Sequence, residues 1–173
     1  MEPLDPIEPP PNWGQDELSN FLEIAERNAY TSFVTLGAPY AKLLGIDAFY
    51  HRLIENLNNP RDCFAAFLFF RSHSCFLAAT RSELSGQIPE TYLLLRGCLE
   101  NDLYGFYIAR RPDPRKVWLS RHDDDAAMRA VKNEFKIVTI MPLVEAADQQ
   151  AFQATRTLYD RTITLAPTQM CAH

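Results

Sequence analysis

The stretch PETYLLLRGCLENDLYGFYIA, residues 89–109, decides the fold of this chain. Its apolar side chains recur every three or four residues, the spacing that places them on one face of a helix. That face consists of Tyr92, Leu95, Leu99, Leu103, Phe106 and Tyr107. The stretch therefore predicts a long helix that is buried along one side and needs partner helices around it.

The same periodicity predicts helices on both sides of this stretch. They span residues 15–36, 39–57 and 61–84 before it, and 115–120, 123–140 and 148–164 after it. The segment 61–84 is apolar nearly all round, which is typical of a central helix. We therefore predict an all-α, single-domain bundle of five to seven helices, with residues 61–84 and 89–110 as a central antiparallel hairpin.

Local signals refine these helices. Gly37 is expected to end the first helix, Gly45 to Asp47 can divide the second, and Pro142 should kink or end the helix at 123–140. The apolar stripe of the first helix is assigned to the core; it comprises Leu18, Phe21, Leu22, Ala25, Ala29, Phe33 and Leu36. The run Asp123-Asp124-Asp125 is interpreted as a helix cap rather than a metal site, because carboxylates in a first turn satisfy free amides.

Composition limits the classes of partner. The chain has 173 residues, 47% of them apolar and 12% aromatic, enough for a real core. A net charge of −5 argues against broad binding to nucleic acid or to an anionic membrane. Binding of nucleic acid by a local basic patch remains an open interpretation. The patch comprises Arg110, Arg111, Arg115, Lys116 and Arg121. The longest apolar run, residues 63–79, is interrupted by Arg71 and His73, so we expect no membrane span.

Compartment and domain limits follow from the cysteines and prolines. The four cysteines lack the spacing of a zinc site, so we expect reduced thiols, a cytoplasmic protein, no metal and no cofactor. Residues 1–12 are acidic and rich in proline, which predicts an extended or disordered arm. The bundle is expected to occupy residues 13–165 and a separate tail residues 166–173.

Arg96 and Glu100 stand one turn apart in the central helix, among apolar neighbours. If they are buried they must pair, because an isolated buried charge costs several kcal/mol. Two interpretations remain open. The pair is either a structural clamp or a polar centre that holds an anion, with Asn101 and Tyr104 adding hydrogen bonds.

A ligand pocket is the wider form of the second interpretation. Arg71 and His73 interrupt the apolar helix 61–84 and can either point at the Arg96–Glu100 pair or mark a solvent edge. The candidate lining of a pocket between the two central helices is Phe67, Arg71, His73, Arg96, Glu100 and Tyr104. No phosphate-binding, nucleophile or zinc-protease motif is present, which lowers the prior for an enzyme.

Three motifs carry a resemblance to a known family. The run Leu94 to Glu100, the segment Trp118-Leu-Ser-Arg-His-Asp123 and the segment Lys132-Asn-Glu-Phe135 resemble the pattern of bacterial all-helical DUF5677-like proteins over residues 60–163. Some such families resemble HEPN domains, helical bundles of toxin and defence systems that include RNases. This resemblance implies Arg96, Glu100 and His122 as candidate catalytic residues.

The chain departs from those relatives in two places. RNase members of the HEPN group carry the motif R-x(4–6)-H within a helix, usually with a polar residue after the arginine. In this chain the segment that fits the motif runs from Arg115 to His122, and it crosses an expected helix break. The family's last helix ends in G-A-H-P-N. Codons for residues 166–172 read one base earlier can encode G-A-H-P-N-V-R, so we expect a frameshifted, C-terminally truncated tail.

Three functions are predicted in order. The first is a non-catalytic interaction or regulatory protein that forms a homodimer or binds a protein partner, because the aromatic content exceeds what one small core needs. The second is a HEPN-like RNase or nucleotide-handling protein of a toxin or defence system. The third is a small-ligand-binding helical protein.

Overall fold

The computed structural model describes residues 8–56, 63–111 and 113–165. Within these ranges the chain forms eight α-helices and no strand, which confirms the predicted all-α bundle. The helices are α1 (Glu17–Thr35), α2 (Gly37–Glu55), α3 (Cys63–Leu84), α4 (Ile88–Arg110), α5 (Asp113–Leu119), α6 (Asp125–Glu134), α7 (Ile137–Ala147) and α8 (Gln149–Leu165). Residues 1–7 of the predicted arm and the tail 166–173 lie outside the described residues, so their assignments stay predictions.

A glycine turn joins α3 to α4. Gly86 has a φ of 84°, the left-handed conformation that glycine adopts without strain. The N–H of Gln87 donates to the carbonyl of Ser82 at 2.8 Å, and the N–H of Gly86 donates to that of Glu83 at 3.0 Å. This double hydrogen bond is the Schellman motif, which satisfies the free carbonyls of a helix end. It reverses the chain and sets α4 back along α3.

The two helices pack antiparallel and at close range, as the sequence predicts. Ser72 of α3 meets Cys98 of α4, while Ala65, seven residues earlier on α3, lies beside Gly105, seven residues later on α4. A Cβ on Gly105 would lie 3.2 Å from the ring of Phe69, so glycine permits this approach. The α3–α4 pair is the most extensive contact between elements.

The main core lies where α6 and α7 cover this hairpin. Its buried residues are Ala65, Leu68, Leu103, Tyr107, Ile108, Val131, Phe135, Ile140 and Val144. Phe135 packs edge-on against the ring of Trp118 at 5.0 Å, and the hydroxyl of Tyr107 donates to Glu134 at 2.6 Å. Because Phe135 turns into this core, the predicted helix 123–140 is divided into α6 and α7.

The position of α1 contradicts the prediction that its apolar stripe belongs to the core. Its predicted core stripe is largely exposed, since Leu18 is 69% exposed and Ser19 is the one buried residue of the helix. α1 is held to the end of α3 by polar groups instead. Asn28 donates to the carbonyl of Ser85 at 3.3 Å, and Ser32 donates to that of Leu84 at 2.9 Å. The side of α1 that carries Ala29 and Ser32 therefore lies toward the end of α3, while Leu18, Phe21, Leu22 and Phe33 of the predicted stripe remain exposed.

Three local predictions are corrected by the helix bounds. Gly37 begins α2 rather than closing α1, with Leu36 alone between the two helices. α2 runs without a break through Gly45 to Asp47. Pro142 lies inside α7, which continues to Ala147, so Pro142 does not end the helix; Ile140 and Val144 on either side of it are buried in the core. The predicted kink at Pro142 stays a prediction.

α3 has the length and mean hydropathy, 1.3, of a helix able to cross a membrane. Buried helices at the centre of a bundle share these properties. In this fold 39% of the apolar window of α3 is buried inside the molecule.

Candidate functional site

The predicted ion pair of α4 forms. The Nε atom of Arg96 lies 2.9 Å from Oε1 of Glu100, and both side chains are partly exposed. The guanidinium carbon lies 5.6 Å from the ring centroid of Tyr159 on α8, a cation–π contact. The hydrogen bond to Glu100 raises the pKa of Arg96, although partial burial opposes it. The pair is therefore a half-exposed link between α4 and α8 rather than a sealed centre.

Tyr104 lies among aromatic rings beside this pair. Its ring centroid is 5.6 Å from that of Trp118 and 5.2 Å from that of Phe135. Burial, helped by the charge of Glu100, raises its pKa to about 12, so the phenol stays protonated. His122 is exposed in the turn between α5 and α6 and makes no hydrogen bond or ion pair within the described ranges. His122 is thus not joined to Arg96 or Glu100 by any such contact.

The predicted pocket residues of α3 fall elsewhere. Phe67 and Arg71 are exposed. His73 is buried, and its Nε2 atom lies 2.7 Å from Oδ1 of Asp47 on α2 rather than against Arg96 on α4. His73 therefore lies on the α2 side of the central hairpin, whereas Arg96 and Glu100 lie on its α8 side, so the predicted lining does not form one pocket.

His73 belongs to a cluster that the sequence did not suggest. Asp47 and His51 stand one turn apart on α2, and His51 Nε2 lies 3.5 Å from Oδ2 of Asp47. One ligand atom from each of the three residues lies within 4.8 Å of the other two. The aspartate and histidine four residues apart were a readable signal, but the third member comes from another helix. Among the described residues, this cluster is the one with side chains suited to a metal ion.

A buried hydrogen-bond network lies behind His73. The hydroxyl of Tyr50 lies 2.7 Å from that of Ser72 and donates to Oδ2 of Asp102 at 2.9 Å. Ser72 also donates to the carbonyl of Cys98 at 3.1 Å. Burial raises the pKa of the Cys98 thiol, which keeps the thiol in its weakly nucleophilic protonated form. The network connects α2, α3 and α4 by polar contacts and holds Tyr50 in a fixed orientation.

The Tyr50 ring stacks on His73, with centroids 4.9 Å apart and planes inclined by 20°. Phe76 lies nearly parallel to the same imidazole, 6.5 Å from its centroid and inclined by 18°. These two rings restrict rotation of His73. The network and the cluster are therefore one continuous polar assembly, in which buried groups orient His73 toward Asp47.

A separate cavity of about 370 Å³ opens between α7 and α8. It is lined by Ile137, Val138, Met141, Pro142, Glu145, Phe152, Arg156, Tyr159 and Asp160. Tyr159 connects it to the Arg96–Glu100 pair. A mostly apolar wall with a few charged groups is the general form of a small-molecule site.

The acidic run and the basic patch have structural roles. Asp124 caps α6, accepting a hydrogen bond from the N–H of Ala127 at 2.7 Å, as the sequence predicts. Arg121 lies over the ring of Trp118 at 5.4 Å, and Arg110 lies over that of Phe106 at 5.1 Å. These two cations are thus partly engaged within the protein.

Comparison of the chain with protein-family models, with curated proteins and with solved structures finds no significant match in any of the three.

Proposed function

We propose that this chain is a non-catalytic helical interaction module that self-associates through exposed apolar side chains of α1 and α2. The observation that carries the proposal is a set of exposed apolar side chains, here called the α1–α2 face. They are Leu18, Phe21, Leu22, Ile24, Phe33 and Val34 on α1, and Leu44, Ile46 and Phe49 on α2. Large clusters of exposed apolar side chains are typical of interaction surfaces.

The spacing on α1 suits a helix–helix contact. Leu18, Phe21 and Leu22 are three and four residues apart on α1 and share one side of the helix, here called the seam. All three are exposed. Two acidic residues flank the seam and supply a polar rim; they are Glu17 and Glu26. An apolar centre with a polar rim is the usual anatomy of a protein interface.

The described residues expose more surface than a compact domain of their mass. The accessible surface of the chain is 12569 Å². Residues outside the described ranges contribute at most about 3,700 Å², the value for fully extended segments of that length. After that full amount is subtracted, the described residues still expose about 1,000 Å² more than a compact domain of their mass. A standard interface takes about 800 Å² from each partner.

A second copy of the chain is the partner that fits this face. It presents the same apolar seam, so a two-fold contact matches apolar side chains with apolar side chains and requires no other protein. Two-fold dimers are the commonest soluble oligomers. The free thiols of Cys75 and Cys98 support action in a reducing compartment such as the cytoplasm.

The other two predicted functions have less support. The nuclease hypothesis requires Arg96, Glu100 and His122 to act together, whereas Arg96 is engaged by Glu100 and Tyr159 and His122 lies in an exposed turn. The predicted ligand pocket requires six residues that the central hairpin separates. The cavity between α7 and α8 is lined by none of those six residues. Its one connection to the Arg96–Glu100 pair is Tyr159.

Size-exclusion chromatography with light scattering tests the proposal. We expect a dimer for the wild type and a monomer for the double variant Leu18→Glu, Phe21→Glu, because two charges per chain then lie in the apolar contact. The control is Val138→Glu, which places the same charge on a 76% exposed side chain of α7 and should leave the dimer intact. A monomeric wild type at high concentration, or an unchanged double variant, contradicts the proposal.

A further inference from the structure

We infer that Asp47, His51 and His73 form a transition-metal site, with Zn²⁺ as the ion that best fits its donors. The residues come from two helices but converge on one point. Asp47 and His51 share a face of α2, and His73 approaches from α3. Two imidazole nitrogens therefore face the two oxygens of one carboxylate, at 2.7 and 3.5 Å.

These separations match the requirement of a zinc ion. Zinc binds histidine nitrogen at 2.0–2.1 Å and carboxylate oxygen at 2.0–2.2 Å in tetrahedral geometry, which puts neighbouring ligand atoms about 3.3 Å apart. The observed 2.7 and 3.5 Å lie on either side of that value, and none of the three ligand atoms is more than 4.8 Å from another. Binding an ion requires the 2.7 Å separation of His73 and Asp47 to open slightly and His51 to approach, and the side chain of His51, which is 62% exposed, has room to rotate.

The donor types select the class of metal. Two imidazoles and one carboxylate suit zinc and its neighbours, whereas magnesium and calcium prefer oxygen donors alone. The cysteine thiols nearest the cluster are not donors in this arrangement. Cys98 is hydrogen-bonded to Ser72 and Tyr50, and Cys75 has its pKa raised by burial.

The surroundings hold the buried ligand in position. His73 is packed against the rings of Tyr50 and Phe76, and Tyr50 is fixed in turn by Ser72 and Asp102. Groups that orient a ligand in this way commonly change metal affinity when they are altered. A histidine that only stabilised the fold would need Asp47 alone, and His51 would then be unnecessary.

A small cavity adjoins Asp47. Asp47 lines a cavity of about 140 Å³ together with Tyr40, Leu43, Leu44, Phe76, Leu77 and Thr80. The hydroxyl oxygen of Thr80 is buried there and has no hydrogen-bond partner among the described residues. Three protein ligands with one open position are the arrangement of sites that bind water or a small exogenous ligand. A metal-bound water or small anion in this cavity is within the chemistry of the site.

Calorimetric titration of the full chain, without a histidine tag, with ZnCl₂ tests the site. We expect one zinc ion per chain. His51→Gln should weaken binding by at least about tenfold, the lower bound for altering even an outer group of a zinc site. Because His51 is largely exposed, this variant should keep its fold, which circular dichroism checks. His122→Gln, an equally exposed histidine outside the cluster, should bind zinc like the wild type.

Two further measurements make the result decisive. The variant Cys171→Ser, His173→Gln removes donors outside the described residues and should also bind like the wild type. Cobalt(II) in place of zinc should give the intense visible absorption of a four-coordinate ion. The inference is overturned if zinc does not bind, if binding is insensitive to His51→Gln, if the tail variant abolishes it, or if cobalt gives the weak spectrum of a six-coordinate ion.

Discussion

Truncation of one leucine on α1 and one on α3 tests how this fold uses its apolar residues. Leu68 is 1% exposed and Leu18 is 69% exposed, although both belong to helical stripes with similar spacing. Leu68→Ala removes packed core atoms and should lower the free energy of unfolding by about 2–5 kcal/mol. Leu18→Ala should cost only about 0.5–1 kcal/mol in the monomer, since about a third of the side chain is buried and full burial is worth about 1.5–3 kcal/mol.

Self-association adds a second contribution for Leu18. If the α1–α2 face is buried in a dimer, its exposed two thirds become buried as well, adding about 1–2 kcal/mol per chain. Dimer stability depends on protein concentration. The cost of Leu18→Ala should therefore rise with concentration, while the cost of Leu68→Ala should stay large at every concentration.

Urea denaturation followed by circular dichroism, at low and high protein concentration, measures both costs. Equal costs for the two leucines at every concentration would refute the reasoning, because α1 would then pack into the core as its sequence pattern predicts. A small cost for Leu18 that never changes with concentration would leave α1 exposed but would exclude it from an interface.

Two more predictions concern single positions. Burial raises the pKa of Asp102 above 3.8, although hydrogen bonds from Ser72 and Tyr50 oppose the rise. The folded state therefore binds this proton more tightly than the unfolded state, so protonation of Asp102 stabilises the fold. That stabilisation is present below the unfolded pKa and is lost as pH rises through the folded pKa. Asp102→Asn, which is neutral at every pH, should raise the free energy of unfolding at neutral pH by on the order of 1 kcal/mol and should give no gain in acid. Urea denaturation at a series of pH values measures this difference. An equal effect at neutral and at acidic pH would contradict the prediction. Gly45→Ala should stabilise the chain by about 1 kcal/mol in thermal or urea unfolding, because α2 is continuous there and nothing lies within 4 Å of the added Cβ; a loss would mean that α2 is broken at this position.

Local sequence determined most of the helices and their ends. Periodic apolar residues located the central hairpin, and Gly86 closed its turn because glycine alone adopts a φ of 84° without strain. Asp124 capped α6 as carboxylates near a helix start do. The Arg96–Glu100 pair formed because residues four apart on a helix are neighbours in any tertiary setting. These features depend on interactions within a few residues, and the sequence contains that information directly.

Only the tertiary structure decided which apolar stripe is buried and which polar groups meet. The stripe of α1 has core spacing, yet α1 rests on α3 through Asn28 and Ser32, and periodicity cannot show whether a stripe faces the core or a partner. His73 meets Asp47 across 26 residues of sequence. That contact depends on how α2 is rotated and placed against α3, which is set by the packing of Tyr50 and Phe76 around the imidazole. Packing of this kind is a property of the whole bundle, and no single stretch of the chain contains it.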